Sequence, residues 1–184
     1  MIGTALNFVR RELNAAFRQL QGDARDVVVL GGLAGAQGAG QDETNNRILL
    51  SLLHLRQDTT FRNQQPPPRG DTTRPPPPIS IVLHTVFVSN FMDYQTGLDL
   101  LADVIGLLQA KSVFDHANSP DLDPRIERLI FAMLNLDYSE LSYAWGLLRT
   151  DFRPSAFYEV RMLPLSDPRR TSSTISTNTG VTND

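Results

Sequence analysis

Apolar positions recur along this chain with two different periods, and the changes of period mark out its elements. Over residues 2–20, Ile2, Ala5, Leu6, Val9, Leu13, Phe17 and Leu20 return at three- and four-residue steps, with arginines on the other side. That spacing predicts an amphipathic helix whose apolar stripe must dock on something. Residues 27–30 predict a short strand. The run "RILLSLLHL" (47–55) is apolar on both faces, which predicts a strand buried between two layers, with a short buried helix as the alternative that periodicity leaves open. "ISIVLHTVFVSN" (79–90) is β-branched, again two-sided, and the most strand-like stretch of all.

Asp93 stands where a helix N-cap belongs. In the helix that follows, Tyr94, Leu98, Leu101, Ala102, Ile105 and Leu108 are expected to share the buried face. Residues 125–136 predict another strand. Ser139 and Ser142 are both candidate starts for a helix through "ELSYAWGLLR", in which Trp145 is expected to be a core or interface anchor. Finally, Phe157, Glu159 and Arg161 alternate against Ala156, Tyr158, Val160 and Met162, the pattern of a closing, half-buried strand. The order helix, strand, strand, strand, helix, strand, helix, strand predicts a single domain over residues 1–165. Its class is α/β, with α+β as the alternative, built as a mixed β-sheet flanked by helices.

Two stretches lack any period. Residues 64–78, "QQPPPRGDTTRPPPP", hold seven of the twelve prolines, which neither donate to a sheet nor continue a helix, so an exposed loop is expected. The "RGD" inside it is three letters long and too short to carry integrin recognition. Residues 166–184 are polar and expected to form a flexible tail.

Composition narrows the function by exclusion. A net charge of −3 gives no electrostatic reason to expect a nucleic-acid partner, and no uncharged apolar run approaches the ~18 residues of a membrane span. Without cysteine there is no disulfide, no thiolate zinc site and no Cys nucleophile. His54, His84 and His116 follow no metal-ligand spacing and read as satisfied core histidines. Asp121 and Asp123, beside prolines in "SPDLDPR", read as turn residues. No catalytic, cofactor-binding or metal-binding residue is assigned, no cofactor is expected, and an enzyme is not.

The glycine-rich run "VVVLGGLAGAQGAG" (27–40) invites a nucleotide, since phosphate-cradling loops also begin where an apolar strand meets glycine. A dinucleotide fingerprint would need a third glycine after Gly38 and Gly40. A P-loop would need lysine and a hydroxyl where Gln41 and Asp42 stand. No helix is expected after Gly40 to point its N-terminus at a phosphate. A mobile turn between strands is the better reading, and a nucleotide-binding regulator using Gly31–Gly40 is the competing function from another class.

Three separated stretches occur in an order that resembles a known family. They are "NRILLSLLHLRQDTTFRN" (46–63), "ISIVLHTVFVSNFMDYQTGLDLLADVIGLLQAKSVFD" (79–115) and "LSYAWGLLRTDFRPSAFYEVRMLPL" (141–165). The tryptophan helix followed by "RPSAFYEVR" is the most specific of them. The chain resembles the cap, or tail-terminator, proteins of extracellular contractile injection systems, which are phage-tail-like particles, and the likeness covers roughly residues 1–165. The resemblance implies a tail-terminator-like fold and a structural role. In that role the protein is a homo-oligomer, a hexameric ring at the baseplate-distal end of the tail, whose partners are the inner tube and the contractile sheath and whose job is to end their polymerisation. It also implies assembly in the cytoplasm of the producing bacterium, as part of a released particle. Another ring of the same particle, at the tube end or the baseplate, is the runner-up.

The glycine run generates a first test. A thermal-shift scan of the protein with ATP, GTP and NAD should leave the melting temperature unchanged. Micromolar affinity abolished by bulky residues at Gly32 and Gly35 would establish the nucleotide reading instead.

Overall fold

The structure, a computed structural model, describes residues 1–22, 25–32, 44–58, 80–148 and 150–164. The proline segment 64–78, the tail 166–184 and most of the glycine run lie outside the described residues.

In chain order the elements are α1 (Ile2–Gln21), β1 (Val28–Leu30), β2 (Arg47–Gln57), β3 (Ile81–Asn90), α2 (Tyr94–Ala110), β4 (Val113–Asp115), β5 (Ile126–Met133), α3 (Tyr138–Leu148) and β6 (Ser155–Pro164). The six strands form one sheet in the order β1-β2-β3-β6-β5-β4. Only β1 and β2 run parallel, and every other pair is antiparallel. The mixed sheet is as expected, and the predominance of antiparallel pairing places the domain in the α+β class.

β3 is the central strand. Val82, Leu83, Val86, Phe87 and Val88 are fully buried, so side chains on both of its faces are covered. On one face lie α1 and α2. Leu6, Phe8, Val9, Leu13 and Phe17 of α1 join Ile48, Leu50, Leu83, Phe87 and Val160 of the sheet in the main core. Burying each such side chain is worth roughly 1.5–3 kcal/mol. That sum far exceeds anything helix propensity offers, so docking is what keeps α1 folded. Leu20, which the pattern placed on the stripe, is instead exposed. Two residues later α1 stops, where Gly22 takes φ 68° and its N–H reaches the Arg18 carbonyl.

A buried polar residue ties α1 to the sheet edge. Asn14, 1% exposed, donates its amide to the Val28 carbonyl and accepts the Val28 N–H, both at 2.8 Å. The side chain thus takes the place of a neighbouring strand and closes the outer edge of β1. Beyond β1, β2 carries a bulge at Leu53 and places His54 and Arg56 on the strand. Bulges and charges are the usual means of keeping an edge from recruiting another strand. β4, at the opposite edge, is only three residues long.

Several sequence expectations need correction. The strand at 47–55 is buried from both sides only over Ile48, Leu49, Leu50 and Ser51, because β2 then runs past the end of β1 and out of the covered region. In α2 the inward residues are Gly97, Leu100, Leu101, Val104 and Leu108, whereas Tyr94, Leu98 and Ala102 are exposed. The helix is apolar nearly all round, so composition did not fix its rotation; Gly97 does. A Cβ there would collide with Ser89 Oγ and lie 3.0 Å from Phe91 Cβ, so only glycine lets the helix settle this close to β3. Asp93 caps the helix as expected, accepting the Thr96 N–H. Neither Ser139 nor Ser142 starts α3. Asp137 does, in a capping box: its carboxylate accepts the Glu140 N–H at 2.8 Å while Glu140 accepts the Asp137 N–H at 3.0 Å. β4 was not foreseen, being too short to show a period. Asp123 is a turn residue as expected, accepting the Arg125 N–H and guanidinium, which hold its carboxyl down at about 2.

The contrast between two helical glycines gives a stability test. Gly97→Ala should destabilise the fold by about 1–3 kcal/mol through overpacking. Gly106→Ala, where a Cβ would meet nothing within 4 Å, should stabilise it by about 1 kcal/mol through helix propensity. Urea melts of both variants check the pair, and equal effects would mean that Gly97 does not set the helix position.

Candidate assembly surface

Among the described residues, the second face of the sheet carries α3 alone. Under it Leu49, Val86, Val88 and Phe157 meet Trp145 in a separate, smaller core, with Leu141, Ala144 and Leu148 packed at its margin. Trp145 is therefore a core anchor, as the sequence allowed. Its indole N–H is buried without a hydrogen-bond partner among the described residues. Phe157, placed by alternation on the same side as Glu159 and Arg161, is buried only because this helix lies over it.

An eleven-residue helix cannot bury an apolar pattern that goes all the way round it. Trp145 and its neighbours face inward, so Tyr143 and Leu147, one turn apart on the opposite side, stand 75% and 85% exposed. Tyr138, at the start of the helix, is 92% exposed, and Phe152 is 66% exposed with its ring 5.5 Å from that of Trp145. Four large apolar side chains within fifteen residues thus reach solvent. A cluster like this on one segment is the kind that marks an interaction surface, where scattered single residues would not. Aromatic residues with an aliphatic neighbour are also the composition of interface anchors. The sequence signal for these residues is "YSELSYAWGLL", which has more apolar positions than one sheet face can cover.

Where α3 ends, the same face turns polar. Glu159 on β6 accepts from the Arg56 guanidinium of β2 at 3.0 Å and from the Arg161 guanidinium at 2.9 Å. The Arg161 hydrogen bond, helped by Arg56, holds the Glu159 carboxyl below its ordinary value against the opposing effect of burial. His84 lies 3.8 Å from the same carboxylate and 5.8 Å, ring to ring, from His54. Burial and then the Arg56 charge push His84 below its ordinary value, so it accepts the Arg56 Nε–H as a neutral ring. Between the arginines sits Val82, paired in register with both Arg56 and Arg161 and fully buried. Arginine stems cover apolar surface in this way while their heads stay wet.

The histidines are thus not core residues. His54 is exposed and His84 is half-buried on the outer face, because the alternation of β2 and β3 sends both away from the main core, and His116 is exposed in the turn that follows β4. A ring nitrogen of His116 lies 2.8 Å from the Ile126 carbonyl. Among the described residues no group of three His, Asp or Glu side chains could hold a metal ion, and no helix is long and apolar enough to cross a membrane. Gly31 continues β1 alongside β2, its N–H on the Leu50 carbonyl and its own carbonyl accepting from Ser51. The rest of the glycine run, residues 33–40, is outside the described residues.

This fold, a sheet with two helices on one face and one on the other, is found in a component of contractile injection particles. The chain superposes on the "PVC sheath/tube terminator in extended state" of an extracellular contractile injection system with a TM-score of 0.53 and 13% identity, over 98% of this chain and 62% of that one. It also matches the tube-terminating cap of the anti-feeding prophage with a TM-score of 0.48 and 15% identity, over 98% of this chain and 60% of that one. By sequence the chain belongs to the Pvc16 N-terminal domain family, whose pattern matches residues 4–177. No curated protein matches it. The chain spans about three fifths of the length of the solved structures it resembles.

The charge cluster sets a pH test. Because the folded Glu159 carboxyl is held below its ordinary value, its contribution is complete above the unfolded glutamate value of about 4.3 and fades as pH falls through the folded one. Glu159→Gln should therefore lower the melting temperature at pH 7, and the gap to the unmodified protein should close as the pH falls through the folded value. A difference that stayed constant with pH would mean that the pairings seen here contribute nothing to stability.

Proposed function

We propose that this protein is a cap subunit, the tail terminator of a contractile injection system. It would form a homo-oligomeric ring, a hexamer matching the six-fold polymer, at the end of the particle distal from the baseplate. Inner tube and contractile sheath would be its partners there, and the particle would be assembled in the cytoplasm of the producing bacterium before release. The observation that carries this reading is membership of the Pvc16 N-terminal domain family over nearly the whole chain. The fold shared with the sheath/tube terminator supports it.

The physical demands of the task suit this body. A terminator must bind the growing end of a polymer on one side and offer nothing on the other that a further subunit can extend. Strand edges are the commonest means of extension. Here β1 is closed by the Asn14 amide, β2 is interrupted by a bulge, and β4 is too short to template a ladder. The role is structural and calls for no catalytic group and no cofactor.

Deletion of the gene tests the proposal. Tube and sheath proteins should still be made, while micrographs show tails of uncontrolled length or few complete tails. Uniform, fully sheathed particles of normal length would overturn it. Particles lacking a baseplate would move the protein to the other end of the tail.

A further inference from the structure

We propose that the charge cluster on the outer face is a proton-driven switch: on protonation, His84 replaces Arg56 at Oε2 of Glu159, and Arg56 leaves the sheet. The switch is independent of the terminator reading.

The geometry offers two partners for one oxygen. Oε2 of Glu159 accepts from the Arg56 guanidinium at 3.0 Å, and Nε2 of His84 lies 3.8 Å from the same atom. Oε1 is occupied by Arg161 at 2.9 Å, so the competition is confined to Oε2.

A single proton decides it. The neutral ring keeps its lone pair at Nε2, where it accepts the Arg56 Nε–H at 3.5 Å, so Arg56 bridges ring and carboxylate at once. A proton on Nε2 removes that acceptor and sets two cations side by side. It also turns Nε2 into a charged donor, and closing by about 1 Å brings it to a charge-assisted hydrogen bond with Oε2. Arg56 is the group that can give way. Its side chain is 46% exposed and stands near the end of β2, beyond the reach of β1, whereas His84 is held within the central strand.

The charged groups facing His84 come from two strands. β2 brings His54, whose ring is 5.8 Å away, and Arg56; β6 brings Glu159 and Arg161, and Asp58, just past β2, acts on Arg161. No helix among the described residues lies over them. Burial, the Arg56 charge and, more weakly, His54 oppose the proton, and Glu159 attracts it. Protonation is therefore displaced below the ordinary histidine value of 6.5, into the range where Glu159, itself held below its ordinary value, is still ionised. Because the folded ring resists the proton, neutral His84 contributes stability above 6.5 that is lost as pH falls through the folded value. The contact broken in acid is one that spans three strands, from β2 across β3 to β6, and the face gains a positive charge.

Nuclear magnetic resonance of the full chain tests this, following the His84 ring and Arg56 Nε–H signals together from about pH 8 to about pH 5. The expected result is a His84 midpoint below 6.5, with the Arg56 signal moving at the same midpoint toward that of a solvated arginine. His84→Gln, neutral at every pH, should hold the Arg56 signal still and lessen the fall in melting temperature across the same range. An Arg56 signal indifferent to the His84 titration would overturn the proposal, as would melting profiles that run parallel in His84→Gln and the unmodified protein. His54→Gln separates the two rings. The coupling should survive in that variant, and its loss would assign the pH response to His54 and overturn the role given to His84.

Discussion

The rest of the structure follows from β3 being buried on both faces. A strand with Val82, Val86 and Val88 on one side and Leu83 and Phe87 on the other cannot lie at a surface, so the sheet must be covered twice. The chain meets that demand unequally. One face receives the twenty residues of α1 and the seventeen of α2, and the other receives the eleven of α3. On the first face the helices can be amphipathic, with apolar residues in and polar residues out. On the second, one short helix is the only cover among the described residues, and beyond it the face carries charged side chains.

That remainder decides what the cluster around Glu159 is for. Pairs as exposed as those of Arg56 and Arg161 are worth at most about 1 kcal/mol each, so they are not what holds the domain together. Arg56 and Arg161 flank the buried Val82 in register on either side, at a stretch of central sheet that no helix among the described residues covers. The cluster confines the apolar surface to the neighbourhood of α3, where Tyr143, Leu147 and Phe152 remain exposed beside a buried Trp145.

How much of this could be read in the sequence depended on whether a single residue type forced a single answer. The two-sided run at 79–90 forced a buried strand, Asp93 forced a helix start, and the stripe of α1 forced a docked helix, whereas the run at 47–55 left a buried helix open and is buried over only its first half. Where several arrangements satisfied the same pattern, the deciding fact was a contact across the fold. The face of α2 depended on the close approach of Gly97 to Ser89 and Phe91, some eight residues away in sequence and unseen by any helical period. Asn14 looks like a flaw in an apolar stripe until Val28 is placed beside it. His54 and His84 were misread because strand alternation says that neighbours face opposite ways without saying which way is in. For the candidate surface, the excess of apolar positions in "YSELSYAWGLL" was visible; which of them remain outside was not, since that depends on how wide a strip of sheet the helix covers.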